Sequence, residues 1–175
     1  MKYIAKYLIL LLLLVCFSCN EKPTKPVASL SKNEMKNSME TANRYLLNEE
    51  EEDIANYVKR HGLDMVSTGT GLRYQILAQG SDRLVEKGQE VTLEFELYSI
   101  AGDLIYSSEN EGVKKFVVGN GAVEAGLDEA MTHLHYGDVA KVIVPYHLGY
   151  GLHGDDNKVP EYATLVYSIK ILDNQ

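Results

Sequence analysis

A strict alternation of apolar and polar side chains runs through residues 91–97, which read Val-Thr-Leu-Glu-Phe-Glu-Leu. Successive side chains of a β-strand point to opposite faces, so the four apolar residues share one face of this segment. A strand with one apolar and one polar face is typical of an antiparallel sheet that covers a core on one side. The segment therefore predicts the strand around which the domain forms.

Other segments extend this sheet. Strand patterns recur at residues 72–77, 139–144 and 165–171. One helix is predicted after Gly126, since apolar residues recur there at helical spacing. These residues are Leu127, Met131 and Leu134. An antiparallel twisted sheet with one amphipathic helix packed across it is an α+β architecture, which we assign to residues 72–175.

Short helices are predicted ahead of the sheet, over residues 33–62. A first apolar face recurs at helical spacing, at Met35, Met39, Ala42 and Leu46. The acidic residues 49–53 are interpreted as the solvated first turn of a second helix rather than as a partner-binding surface, and Gly62 as its end. We expect this segment to be dispensable for folding, because the sheet and its helix supply their own core.

The first 18 residues are typical of a secretory signal peptide, with two lysines before an apolar run at residues 7–17. That run is too short to span a hydrocarbon core of about 30 Å comfortably. It ends at Ser18-Cys19, which resembles a bacterial lipobox although Cys16 replaces the usual leucine. We predict lipidation of Cys19, with an ordinary cleaved signal as the alternative. Residues 19–32 contain two prolines and predict a flexible tether.

Composition and motifs exclude several functions. The net charge of −8 is a poor match to nucleic acid, which requires a basic surface. Both cysteines lie in the leader segment, so no disulfide framework is expected. The Gly119-Asn120-Gly121 stretch lacks the third glycine of a dinucleotide-binding loop. A metal site formed by His147 and His153 with Asp155 or Asp156 stays open as a minor alternative to an ordinary polar loop.

Four motifs follow one another between residues 116 and 167. They read Phe-Val-Val-Gly at 116–119, Val-Glu-Ala-Gly at 123–126, Pro-Tyr-His-Leu-Gly-Tyr-Gly at 145–151 and Val-Pro-Glu-Tyr-Ala-Thr-Leu-Val-Tyr at 159–167. Their order and spacing resemble those of the FKBP-type peptidyl-prolyl cis-trans isomerases. The resemblance covers residues 72–172 and implies an FKBP-like fold and an isomerase that needs neither cofactor nor metal.

The resemblance also implies the residues of the site. The Tyr150 hydroxyl would donate to the carbonyl of a bound ligand, and the backbone N–H of Glu124 would pair with the ligand. We assign catalysis to Tyr150, Phe95 and Tyr167, and substrate binding to Val123, Glu124, Leu127, Val159, Ile105 and Tyr106. The apolar members would equally be ordinary core residues of a sheet and helix, whereas Tyr150 lies between glycines and is harder to explain by packing.

Four positions depart from the family pattern. Leu127 replaces the usual Trp of the pocket floor, and Lys114 stands where an aromatic wall residue is common. The usual Phe-Asp pair is replaced by residues 105–106, Ile-Tyr, so a carboxylate that anchors ligands is missing. Aliphatic side chains offer less rigid apolar area than aromatic rings, so we expect a reduced isomerase rate and weak binding of macrolide inhibitors.

These expectations combine into an exported isomerase that is anchored by lipid (palmitate) at the outer membrane, faces the periplasm and assists folding of envelope proteins. Its partners would be proline-containing polypeptides and, through the lipid, the membrane. A leader, acidic helices and this domain together resemble lipoprotein members of the family in Bacteroidetes, among them isomerases associated with gliding motility. The alternative is a non-catalytic FKBP-like binding module or chaperone, which the altered pocket favours, whereas the retained Tyr150, Val123 and Val159 favour the enzyme.

The change Cys19→Ser should abolish lipid labelling and release the protein from membranes, because the acyl chains on this residue would attach the acidic domain to the membrane. Incorporation of a fatty-acid probe and membrane fractionation measure the two effects. Cys16→Ser is the matched control and should stay membrane-bound. Release of Cys16→Ser with retention of Cys19→Ser would place the lipid on the other cysteine.

Overall fold

The computed structural model describes residues 31–173. The predicted signal peptide, the lipidation site Cys19 and all but the last two residues of the predicted tether lie outside the described residues. The chain divides into two units, Met1–Thr41 and Ala42–Gln175. Among the described residues, no helix is both long enough and apolar enough to cross a bilayer.

One continuous helix, α1 (Lys32–His61), replaces the short helices predicted over residues 33–62. Its start is a reciprocal capping box, in which the Ser31 hydroxyl accepts from the Glu34 backbone N–H and the Glu34 carboxylate accepts from the Ser31 backbone N–H. Its end is the predicted glycine, Gly62, at φ +60°. The helix is unbroken because neither glycine nor proline occurs within it.

The apolar face predicted near the start of α1 is exposed. Met35 is 50% exposed and Met39 is 68% exposed, and Ala42 is exposed as well. Leu46 is half-buried. The buried side chains of α1 are instead Ile54 and Tyr57, in its second half.

Within residues 31–173, seven strands form one antiparallel sheet, which confirms the predicted fold class. They are β1 Val66–Ser67, β2 Arg73–Ala78, β3 Glu90–Ser99, β4 Leu104–Ser107, β5 Lys114–Val117, β6 Val139–Val144 and β7 Leu165–Leu172. The order is β1-β2-β6-β7-β3-β4, and β5 also pairs with β3. β7 runs along one edge of β3, while β4 and β5 share the other edge.

Three short helical segments connect the strands. They are α2 Ser108–Glu111, α3 Ala125–Met131 and a 3₁₀ turn at Tyr146–Leu148. α3 is shorter than the predicted helix because the chain tightens after Met131 into i→i+3 hydrogen bonds, one of them from the Leu134 N–H to the Met131 carbonyl. Leu134 remains fully buried although it lies beyond the helix.

The inner core lies between α3 and one face of the sheet. The predicted inward residues of β3 are all buried: Val91, Leu93, Phe95 and Leu97. Leu127 and Met131 of α3 pack against them. Gly126 allows the close approach, because a Cβ there would lie 2.4 Å from Cγ1 of Val144.

A second apolar cluster lies on the outer face of the same sheet. Ile143 of β6 and Val166 of β7 are register partners with fully buried side chains. Ile54 and Tyr57 of α1 cover them. The sheet is therefore buried on both faces in this region, and the second half of α1, which contains Ile54 and Tyr57, is part of its packing.

A glutamate fastens α1 to the loop that follows β6. One carboxylate oxygen of Glu50 accepts hydrogen bonds from the backbone N–H of Tyr146, at 2.7 Å, and from the hydroxyl of Thr164, at 2.5 Å. Glu51, the next residue, pairs with Arg73 of β2. The acidic run of α1 therefore holds the loop after β6 through Glu50 and strand β2 through Glu51.

We expect Ile54→Ala to lower the free energy of unfolding by about 2–5 kcal/mol, because it removes a side chain that is 1% exposed from the outer cluster. Met39→Ala, at an exposed position of the same helix, is the matched control and should change stability by about 0.5 kcal/mol or less. Urea denaturation measures both. Wild-type stability of Ile54→Ala would show that the outer face of the sheet does not depend on α1.

Candidate functional site

A cavity of about 280 Å³ opens beside β3, β4 and the segment leading into β5. It is lined by Phe95, Tyr106, Glu111, Gly112, Val113, Lys114, Tyr150 and Asp155. Three residues assigned to the site from the sequence, Phe95, Tyr106 and Tyr150, therefore meet on its walls. The loop after β6 supplies Tyr150 and Asp155.

The other assigned residues lie deeper or beside the cavity. Ile105, Leu127, Val159 and Tyr167 are buried in the inner core, and Val123 is half-buried against it. The ring centres of Phe95 and Tyr167 are 6.4 Å apart, at an interplanar angle of 51°. The predicted floor residues are thus close to the cavity without lining it, and a polar side chain lies among them.

That polar side chain is Glu124, whose backbone alone had been assigned to the site. Its side chain is 6% exposed. The Tyr167 hydroxyl donates to Oε1 of Glu124 at 3.0 Å, and Nζ of Lys114 lies 3.9 Å from the same oxygen. Glu124 therefore carries a carboxylate from the start of α3 to the side chain of Lys114, which lines the cavity.

Burial and this carboxylate keep two tyrosine hydroxyls protonated. Burial raises the pKa of Tyr150 well above its ordinary value, and the carboxylate of Glu124 raises it further. Burial likewise raises the pKa of Tyr167, again with a contribution from Glu124. Both hydroxyls are consequently hydrogen-bond donors at neutral pH.

A second polar network closes the cavity on the side of β4. The Tyr106 hydroxyl donates to Oδ2 of Asp155 at 2.5 Å and accepts from Nδ2 of Asn157 at 3.0 Å. The other oxygen of Asp155 accepts the backbone N–H groups of Val159, at 2.7 Å, and Asn157, at 3.0 Å. This network fixes the loop after β6 to the sheet.

The sequence predicts that a carboxylate which anchors ligands is missing at residues 105–106. Asp155 places a carboxylate next to Tyr106 instead. It comes from the loop after β6 and bonds to Tyr106, the residue at the position where aspartate is usual in the family that the sequence resembles. The Asp155-x-Asn157 pattern in a loop was the available signal, because aspartate readily caps the backbone N–H two residues on. Gly154 before it has φ +71°, and a Cβ there would lie 2.0 Å from the Val159 carbonyl oxygen.

Lys114 lines the cavity at the position where an aromatic wall residue is common. Its ammonium group lies 5.2 Å from the centre of the Phe95 ring, on the ring face. Lys158 similarly lies 4.7 Å from the centre of the Tyr106 ring. The cavity therefore combines aromatic faces with cations and carboxylates, in contrast to a purely apolar pocket.

The metal alternative finds no support in the described residues. Between residues 31 and 173, no group of three or more His, Cys, Asp or Glu side chains is placed to hold a metal ion. The His147 ring lies instead 3.1 Å from the carbonyl oxygen of Thr70. Asp155 is engaged by Tyr106 and by backbone groups of its own loop.

A larger groove of about 580 Å³ lies on the outer face of the sheet, beside the end of α1. Its lining includes Tyr57, His61, Tyr98 and Lys141. None of the residues assigned from the sequence lies in it, and its lysine is bonded to Ser168. The smaller cavity is the candidate site because Phe95, Tyr106 and Tyr150 line it together with Lys114, the neighbour of the buried Glu124 carboxylate.

Residues 81–172 match the family model of FKBP-type peptidyl-prolyl cis-trans isomerases. The match covers more than half of the chain and contains β3 through β7, α3 and every residue of the cavity. The chain belongs to the FKBP-type peptidyl-prolyl cis-trans isomerase family.

Known proteins give the extent of the similarity. Human peptidyl-prolyl cis-trans isomerase FKBP9 is 35% identical over 91 residues, which are 51% of this chain and 16% of that protein. The FK506-binding protein of Neisseria meningitidis serogroup B is 29% identical over 103 residues, 58% of this chain and 94% of that protein. The chain therefore spans a small part of FKBP9 and nearly all of the Neisseria protein.

A solved structure supports the fold. The crystal structure of FkpA from Escherichia coli aligns with a TM-score of 0.60 at 21% identity, over 83% of this chain and 73% of that one. The α+β FKBP-like fold expected from the sequence is thereby confirmed.

The network around Asp155 leads to a pH-dependent prediction. Burial alone would raise the pKa of Asp155, but hydrogen bonds from Tyr106 and from loop N–H groups outweigh it and lower the pKa below the usual value. The ionised carboxylate therefore stabilises the fold above about pH 4, and this stabilisation is lost as the pH falls through the lowered pKa. We expect Asp155→Asn to cost about 1 kcal/mol at neutral pH and less on acidification.

Urea denaturation at a series of pH values from neutral to acidic measures this difference. Asp156→Asn is the matched control, because Asp156 is exposed and asparagine tolerates its φ of +58°. Its stability should stay parallel to that of the wild type. A constant difference between Asp155→Asn and the wild type at all pH values would contradict the role assigned to the ionised carboxylate.

Proposed function

We propose that the chain is a peptidyl-prolyl cis-trans isomerase that acts on proline-containing polypeptides. The observation that carries the proposal is the cavity in which Phe95, Tyr106 and the protonated hydroxyl of Tyr150 face a common space. Membership in the FKBP-type family supports it. Aromatic walls suit a proline ring, and the hydroxyl supplies a donor for the carbonyl that precedes it.

The chemistry requires no nucleophile. Rotation about an X-Pro bond is slow because amide resonance sets a barrier of about 18–20 kcal/mol, and no bond is made or broken. The site would favour the twisted amide, which has lost that resonance, over the planar one. Tyr150 would donate to the amide oxygen, the backbone N–H of Glu124 would hold the neighbouring chain, and Phe95 would exclude water from the ring.

The turnover is expected to be low. Lys114 and Leu127 provide less rigid apolar surface than the aromatic residues they replace, and the Lys114 ammonium group with the nearby Glu124 carboxylate makes one wall of the cavity polar. A polar wall stabilises an apolar ring less well than an aromatic wall. The same features support weak binding of macrolide inhibitors.

The cellular role is a further part of the proposal. A signal peptide at residues 1–18 and a lipid on Cys19 would place the protein in the cell envelope, at the outer membrane facing the periplasm. There it would assist the folding of exported proteins. The resemblance to Bacteroidetes lipoproteins of this family suggests a contribution to gliding motility.

A second candidate function is a non-catalytic binding module or chaperone. The observation that favours it is the Lys114–Glu124 pair, of which Lys114 lines the cavity, because a polar wall can hold a polypeptide without favouring a twisted amide. Suppression of aggregation without turnover would distinguish this function from isomerisation.

Tyr150→Phe should lower kcat/KM by up to roughly tenfold, because a hydrogen bond of about 0.5–1.5 kcal/mol to the amide oxygen is lost. Exchange NMR on a prolyl peptide measures the rate directly. Tyr162→Phe, in the same loop at an exposed position, is the matched control and should keep wild-type activity.

Leu127→Ala separates packing from chemistry, since it should lower both activity and stability, the latter by about 2–5 kcal/mol. Full activity of Tyr150→Phe would contradict the assignment of the donor. An inactive wild type that prevents aggregation of unfolded clients would favour the binding module.

A further inference from the structure

Three carboxylates lie at or beside the cavity, and they differ in how many of their oxygens have a hydrogen-bond or ion-pair partner. Asp155 accepts hydrogen bonds on both oxygens, as described above. Glu111 pairs with Lys158 at 3.6 Å, and both side chains are about half exposed to water. Glu124 differs from both, because its Oε2 is fully buried without a hydrogen-bond partner in the described part of the chain. A buried acceptor without a donor is costly, so this oxygen favours any ligand that brings one.

The chain itself places a cation next to this carboxylate. Nζ of Lys114 lies between the Phe95 ring, at 5.2 Å, and Oε1 of Glu124, at 3.9 Å. The second distance is longer than a hydrogen bond, so the ammonium group approaches the carboxylate without satisfying it. The Lys114 side chain is 28% exposed and ends a flexible stem, which allows it to turn outward.

The aromatic residues suit a cation at the same place. Phe95, Tyr106 and Tyr150 line the cavity, and ring faces attract ammonium and guanidinium groups. Together with the buried carboxylate of Glu124, these rings favour a positively charged ligand side chain over an aliphatic one. An incoming basic side chain could therefore take the place that Lys114 now occupies.

We propose that Glu124 selects clients in which a lysine or arginine immediately precedes the proline. This inference rests on the proposed function, because the carbonyl that Tyr150 would bind belongs to the residue before proline. The Glu124 carboxylate lies near enough to the Tyr150 hydroxyl to raise its pKa, so the residue before proline would be bound next to this carboxylate. Its basic side chain displaces Lys114, pairs with the buried carboxylate and packs against Phe95, while the proline ring lies in the outer part of the cavity.

The experiment compares peptides that differ only in the residue before proline, Lys-Pro against Leu-Pro, with the full-length chain. Chemical-shift titration measures binding and exchange NMR measures turnover. The wild type should bind Lys-Pro at least about tenfold more tightly than Leu-Pro, or ~1.4 kcal/mol. Glu124→Gln should abolish that preference, and Lys114→Met should increase it, because the competing internal cation is removed.

Lys115→Met is the matched control, since Lys115 is the exposed neighbour and pairs with Glu90 at 2.9 Å, away from the cavity. It should leave the preference unchanged. Equal affinity of the wild type for both peptides, or an unchanged preference in Glu124→Gln, overturns the inference. Turnover of both peptides without preference overturns it while the isomerase function stands. A preference in binding that depends on Glu124, without turnover of any peptide, supports the cation site and overturns the isomerase.

Discussion

β3 and β7 pair along eight residues, from Thr92↔Leu172 to Ser99↔Leu165. This antiparallel ladder joins the two halves of the sheet, because β6 and β2 extend from β7 while β4 and β5 extend from β3. Its inward side chains carry the inner core under α3, and its outward Val166 anchors the cluster under α1. A one-residue slip would exchange these two sets and move every inward side chain out of the core.

Side-chain periodicity was sufficient to predict the sheet and its inner face. The alternation at residues 91–97 and 165–171 depends only on local geometry, and every inward residue that it assigned is buried. The outer cluster could not be predicted in this way. Val166 and Ile143 lie on the face of the sheet that is ordinarily exposed to water, and they are buried because α1 covers them. Ile54 and Tyr57 of α1 could be recognised as core residues only once the helix was placed on the sheet.

The resemblance to the family assigned Tyr150, Tyr106 and Phe95 to one site, and the structure brings them together at one cavity. The direction of a side chain could not be predicted in this way. Glu124 at the start of α3 could have faced solvent, where the positive end of the helix dipole favours a carboxylate, yet it turns inward to Tyr167. The Tyr106–Asp155 pair likewise depends on two segments 49 residues apart, which no local pattern connects.

Glu50 has a mechanical consequence for the loop that carries Tyr150 and Asp155. The same carboxylate oxygen receives hydrogen bonds from both ends of this loop, at Tyr146 and Thr164. Both ends of the loop are thus held at the same oxygen atom. A loop that is closed in this way has fewer accessible conformations than a segment of equal length with free ends. Any rotation of α1 that displaces this oxygen would break both hydrogen bonds at once. Both ends of the loop at the rim of the cavity would then be released together.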